Sequence, residues 1–271
     1  MDDPFLVLIR ILYVGLFIGT LAFLLLWEDG NPRVPFASPK ARWRHVFRNL
    51  AMLFWVIVVA DYVVGDWLLH SENYLTNPTP ILFDGAALPL PAQILLAFLA
   101  SDLLDYLLHR AGHRFHWLWR LHSVHHSDSC LDATSAGRAH PLEVSIHVAG
   151  KLGLYVLLGL PLWIEGIRAI AHNPVSMIQH ANVTFPAWLE RLRLVFVTPA
   201  MHRLHHARER ALHDNNLGVI FSFWDRLFGT YVAPEEVTSQ GIGLPGYSGD
   251  NWQTVAGMLT TPVSPLPRPS S

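Results

Sequence analysis

From position 109 to 126 the chain reads HRAGHRFHWLWRLHSVHH, six histidines in 18 residues. A second cluster, MHRLHHARERALH at 201–213, adds four more, so ten of the 16 histidines stand in two short stretches. Imidazole is the commonest metal-binding side chain. At roughly 100° per residue, His122, His125 and His126 share one helical face, and His202, His205 and His206 repeat that spacing. His109 and His113 are one turn apart. Eight histidines exceed the four ligands of a single zinc site and suit two metal ions with open coordination positions. His180, in QHANV, is a ninth ligand. His140 precedes Pro141 in GRAHPLE, marks a helix start and is a further possible metal ligand. Asp102 and Asp105 continue the stripe of His109 and His113 backwards. There they are placed to accept the second ring N–H of a ligating imidazole. The single Cys130 supports neither an internal disulfide nor a CxxC zinc spacing.

These residues need helices to carry them, and the composition says where the helices lie. Of 271 residues, 51% are hydrophobic and 15% charged, against about a quarter charged in an average soluble domain. The net charge of -2 gives no reason to expect nucleic-acid binding. The apolar run 5–27 is long enough to cross a bilayer and, with acids ahead of it and no small-residue cleavage site, reads as a retained helix. A loop at 28–48 follows, with Pro32, Pro35 and Pro39 and the cations Arg33, Lys40, Arg42, Arg44 and Arg48. The second span, 50–69, is interrupted by Asp61 and Asp66, and the connection 70–89 has no Lys or Arg. A third span, 90–108, delivers His109. A fourth apolar stretch, 142–160, has Lys151 at its centre and ends at Pro161. Its return leg, 162–180, holds Glu165, Arg168, His172, Asn173 and Pro174, poor material for a lipid-facing span. The pair reads as a helical hairpin that enters partway or crosses with its return leg shielded.

Positive residues favour the cytoplasmic side. The basic first loop is therefore placed inside, and both histidine clusters with it. The expected fold is an all-α integral membrane protein: three transmembrane helices, the hairpin and a cytoplasmic His-rich helical cap. WDRLFGTY at 224–231 reads as a helix end stopped by Gly229. The Pro/Ser-rich tail from Thr260 reads as disordered. The chain divides into N-terminal membrane helices (1–89), a histidine-bearing region (90–232) and a peripheral segment with its tail (233–271).

The ordered boxes HRAGH, HSVHH, HAN and HRLHH, with LWRLHSVHH, GRAHPLE and NNLGVIFSFWDRLFGTY around them, resemble the membrane-bound fatty acid hydroxylase and sterol desaturase superfamily over residues 90–232. The resemblance implies that this region is catalytic, an oxidoreductase with a His-rich centre of two iron ions, using O2 and supplied electrons to hydroxylate or desaturate a lipid. It gives ligand roles to His109, His113, His122, His125, His126, His180, His202, His205 and His206. Some members carry another histidine four residues before the equivalent of His180. Ser176 stands there in this chain, which leaves His140 as the candidate substitute. Imidazole also suits zinc, so zinc can occupy such sites in a preparation. The implied partners are a lipid substrate, the membrane and an external electron-transfer protein. The implied location is a bacterial inner membrane, or the endoplasmic reticulum of a eukaryote. Hydroxylation is expected ahead of desaturation. A metal-ion transporter, the rival class, would place ligands on broken helices of an internal repeat, and no repeat is visible.

Overall fold

We describe the protein from a computed structural model, covering residues 4–60, 62, 81–234, 241–247 and 249–265. Its helices are α1 (Pro4–Gly30), α2 (Pro39–Ala60), α3 (Leu90–Arg114), α4 (His116–His126), α5 (Pro141–Leu158), α6 (Trp163–His180), α7 (Pro199–His205), α8 (Arg210–His213), α9 (Phe223–Phe228), α10 (Asp250–Gln253) and α11 (Val255–Thr260). Among the described residues there is no strand, only three isolated β-bridges. The chain is an all-α integral membrane protein. Four helices, α1, α2, α3 and α5, are long and apolar enough to cross a membrane. Only 6% of the most apolar window of α1 is buried, so its surface suits lipid rather than a protein core. The hairpin is α5 followed by α6, and of its two legs only α5 qualifies as a span.

Local chemistry sets the breaks. Gly159 takes φ 61 at the end of α5, a left-handed cap conformation that glycine adopts without steric cost, and Pro161 prevents continuation. His140 caps α5 by accepting from the Leu142 amide, with Pro141 in the first turn. Phe115 is extended between α3 and α4, which turns the first histidine cluster into two helices. Gly229, with φ 73, ends α9 as expected. The basic loop is shorter than the composition suggests. Ser38 Oγ accepts from the Ala41 amide and starts α2 at Pro39, so Lys40 to Arg48 are helical. Arg42 is buried and reaches back to Asp29 and the Leu25 carbonyl. Asp61 and Asp66 of the expected second span lie outside the described residues.

A knot of buried polar groups joins α2 to the residues that follow α4. His45 bridges Asp128 (2.8 Å) and Asp132 (2.9 Å). Arg138, fully buried, donates to the Val124 carbonyl, Asn49 Oδ1 and Ser127 Oγ. Burial opposes ionisation of Asp128, but His45, Arg138 and the Ser135 hydroxyl hold its carboxyl well below the usual range. The knot fixes the segment between α4 and α5 against α2. The C-terminal segment closes over the same place: Met258 of α11 packs with Met52 and Val124. The start of the Pro/Ser-rich tail is held as well, because Arg120 donates to the carbonyls of Pro262 and Ser264. Composition marks such a tail as unable to build its own core, but Arg120 holds carbonyls of its first residues, and residues 266–271 lie outside the described residues.

Candidate metal centre

The nine histidines converge into two adjoining groups. His109 and His113 of α3, His122 and His126 of α4, and His205 of α7 form the first. His125 of α4, His180 at the end of α6, His202 of α7 and His206 just beyond it form the second. Within each group, one ligand atom per residue lies within 4.8 Å of all the others. The groups touch: the rings of His126 and His206, one from each, stack with centroids 4.7 Å apart. Each HxxHH motif is thus split between the two groups. His122 and His126 serve one group while His125 serves the other, and His202 with His206 are parted from His205 in the same way.

What the rings do with their second nitrogen shows that this donor set fits metal. His109 Nδ1 donates to the Leu217 carbonyl (2.8 Å), His113 Nδ1 to Asp214 (3.0 Å) and His122 Nδ1 to Glu143 (2.6 Å). His125 Nδ1 donates to the Arg138 carbonyl, His180 Nδ1 to the Ser176 carbonyl and His205 Nδ1 to the Asn215 carbonyl. Carbonyls and carboxylates accept only, so all six rings carry a proton on Nδ1, and in the metal-binding form each keeps a lone pair on Nε2. Those lone pairs then face one another. The Nε2 atoms of His109 and His122 are 3.1 Å apart, and those of His180 and His125 are 3.3 Å apart. Two lone pairs at that distance repel, and a cation between them reverses the sign. Nε2 of His113 and His205 and both nitrogens of His126 are buried without a hydrogen-bond partner, and coordination through one nitrogen per ring removes that cost for one nitrogen of each of the three residues.

Electrostatics keep the ligands ready. His125, His126, His202, His205 and His206 are pushed well below the ordinary histidine range, first by burial and then by neighbouring imidazoles. Burial holds His180 at about 4. Neutral imidazole is the metal-binding form.

The orienting groups come from elements remote in sequence. A strap at 215–218 presents two of the carbonyls. Asn216 there takes φ 54, a left-handed conformation that Asn tolerates better than most residues. Its side chain pairs with the backbone of Val232. Asp225 accepts from the amides of Leu217 and Gly218. Glu143 and Asp214, the two carboxylates that bond histidines of the two groups, escape a sequence reading: neither stands at a regular interval from its partner, and the backbone carbonyls carry no sequence signal.

Asp102 and Asp105 are both buried, but their bonds go elsewhere than to His109 and His113. Asp102 accepts from the amides of Ile220 and Phe221 and from the Trp224 indole, which docks the loop after the strap. Asp105 is taken by Lys151, His147 and Arg168, full or potential cations that outcompete a neutral imidazole one turn away. His140 stands outside both groups: its Nδ1 caps α5 and its Nε2 bonds the Leu259 carbonyl. His213 lies with Asp214 beside His113. A cavity of about 300 Å³ opens there, lined by His113, Arg114, Trp119 and Arg210 among others. Replacing Asp102 by alanine strands three donors, each costing about 1–3 kcal/mol when left unpaired. We expect a lowered melting temperature and weaker metal retention by the first histidine group. An unchanged melting curve would show that Asp102 does not hold the loop.

Fold and site together define an α-helical membrane protein with two adjoining histidine groups able to hold metal ions. The fatty acid hydroxylase family model matches residues 94–230, half the chain and every residue of both groups, and the chain belongs to that family. It is 34% identical over 163 residues to an ornithine lipid hydroxylase of Rhizobium tropici, covering 58% of this chain and 47% of that one. It is 33% identical over 136 residues to an alkylglycerol monooxygenase of Caenorhabditis elegans, covering 49% and 26%. A cholesterol 25-hydroxylase-like protein of Danio rerio is 27% identical over 181 residues, covering 65% and 62%. The chain thus matches about half of the first relative's length and about a quarter of the second's. No solved structure matches it.

Proposed function

We propose that this protein is an O2-dependent di-iron oxygenase that hydroxylates an unactivated C–H bond of a membrane lipid. The observation that carries the reading is the pair of histidine groups whose lone-pair nitrogens face inward, in a family whose named members act on lipids. Overall, R–H, O2, two electrons and two protons give R–OH and water. Iron held by the nine histidines would supply the binding and reductive activation of O2. The chain's own contribution is placement. The acceptors at Leu217, Asn215, Arg138 and Ser176 aim His109, His205, His125 and His180, and the charged partners Glu143 and Asp214 raise the basicity of His122 and His113. Burial keeps bulk water away from the groups.

The substrate is a lipid with a polar headgroup, as the names of the relatives suggest: ornithine lipid, alkylglycerol and sterol. Those names also favour hydroxylation over desaturation. The electrons come from a separate electron-transfer protein. Both histidine groups lie on the cytoplasmic side, an orientation supported by Arg33, Lys40, Arg44 and Arg48 around the start of α2.

Purification in the presence of iron followed by metal analysis tests the first half of this reading. About two ions per chain are expected. Mass spectrometry of membrane lipids with and without the protein, under O2 and a reductant, tests the second: the product is heavier by one oxygen atom. A preparation that binds no metal, or one that carries metal across liposome membranes without altering lipids, would refute it.

A further inference from the structure

One side of α5 carries Glu143, His147, Lys151 and Tyr155 at intervals of four residues, a polar stripe along a helix apolar enough to span a membrane. Three of the four meet polar partners on α3 and α6. Lys151 Nζ lies 3.0 Å from Asp105 and 3.9 Å from Glu165. His147 Nδ1 lies 3.1 Å from the same Asp105 oxygen. The Tyr155 hydroxyl donates to Glu165 (3.1 Å). From α6, Arg168 grips Glu165 through two nitrogens (2.8 and 2.7 Å) and reaches Asp105 at 3.4 Å. Ser101, fully buried one turn before Asp105 on α3, completes the seam at 3.5 Å from Glu165. Two carboxylates and two permanent cations balance.

Asp105 is the member tied to both other helices by ion pairs, whereas Glu165 reaches α5 through Lys151 and Tyr155 and α3 only through the Ser101 hydroxyl. Each of the three helices also carries part of the metal centre. His109 and His113 continue α3, Glu143 holds His122 from the first turn of α5, and His180 ends α6. We propose that Asp105 is a positioning residue: it bonds no ligand histidine, but its ion pairs set the register of α3, α5 and α6 and thereby place His109, Glu143 and His180 relative to one another. The pairs suit that task. In a low-dielectric setting a charge has no alternative partner, and the seam offers Lys151 and Arg168 only one register in which both anions are answered. Sliding α5 by one turn, about 5.4 Å, would put His147 or Tyr155 in the place of Lys151, so that no lysine lies between Asp105 and Glu165.

The inference speaks to metal occupancy only through the metal-binding reading above, so the test separates the two. Asp105→Asn, Asp105→Glu, Lys151→Met and the double variant Asp105→Asn with Lys151→Met are purified in detergent beside the unaltered protein. Thermal melting and retained Co²⁺ are measured, with the Co²⁺ absorption spectrum as a report on geometry. Asp105→Asn and Lys151→Met should each melt lower by on the order of 10 °C and hold Co²⁺ about tenfold less tightly. Asp105→Glu should restore both properties. The double variant should lose less than the sum of the single losses, because its second change removes a charge already orphaned. Strictly additive losses, or a lower melting temperature with unchanged Co²⁺ affinity and spectrum, would overturn the positioning role. Failure of the unaltered protein to bind Co²⁺ would refute the metal reading instead, while the melting data still decide whether the seam couples the helices.

Discussion

Alanine at His205 should leave a protein that holds one metal ion instead of two, and alanine at His202 should empty the other position. His205 belongs with His109, His113, His122 and His126, whereas His202 belongs with His125, His180 and His206. Removing one ring from a set of five or four leaves the second set intact, with its own orienting acceptors at Arg138 and Ser176 for one and at Leu217, Glu143 and Asp214 for the other. Lipid oxidation should fall by more than about 100-fold in both variants, since loss of an orienting partner alone costs 10–100-fold at metal sites. Metal analysis, melting and turnover on the same preparations separate loss of an ion from loss of the fold. The partition is wrong if either variant sheds both ions while its melting temperature stays high, or if both variants empty the same position.

That partition is half visible in the sequence. A helical wheel sets His122 at the centre of its arc, His126 about 40° to one side and His125 about 60° to the other. The same holds for His202, His206 and His205. Spacing therefore identifies ligand faces, but whether an arc of about 100° meets one ion or two depends on what stands opposite. Here α7 faces α4, and the i, i+4 pair of each motif claims one group while the odd histidine crosses to the other.

The carboxylates show a different limit. Asp102 and Asp105 stand out in the sequence because charge inside an apolar span demands a reason. Their spacing from His109 and His113 supplied one. The structure supplies stronger claimants: three N–H donors for Asp102, and Lys151 and Arg168 for Asp105. Lys151 and Arg168 were visible as oddities of the hairpin, but no local pattern pairs residues 46 and 63 positions beyond Asp105. The carbonyls of Leu217, Asn215, Arg138 and Ser176 are invisible for a simpler reason, since every residue has one. Helix ends fared better: Pro141, Pro161 and Gly229 act through their own backbone geometry, which needs no distant partner.

Metal-stripped protein should lose stability steeply as the pH falls below about 6.5, the ordinary histidine value. The sign follows from the direction of the shifts. Burial and neighbouring rings keep His125, His126, His202, His205 and His206 neutral in the folded chain well below that value. In the unfolded chain the same rings take up protons near 6.5. Below that pH the unfolded state binds more protons, and stability declines as pH declines. Each such group contributes up to about 1.4 kcal/mol per pH unit. Five of them acting together would exhaust a total stability of about 5–15 kcal/mol within one to two units. The folded cluster must then open or unfold instead of staying neutral. A bound ion opposes this, because a ligand binding only the folded state adds stability through mass action, and its donors are unavailable to protons until it leaves. Melting curves between pH 7.5 and 5 should accordingly diverge, with the stripped protein failing first and the zinc- or iron-loaded protein following at lower pH as metal is released. Flat, coincident curves would mean that the nine rings do not form a closely packed neutral cluster. The lone-pair argument for the metal centre would fall with them.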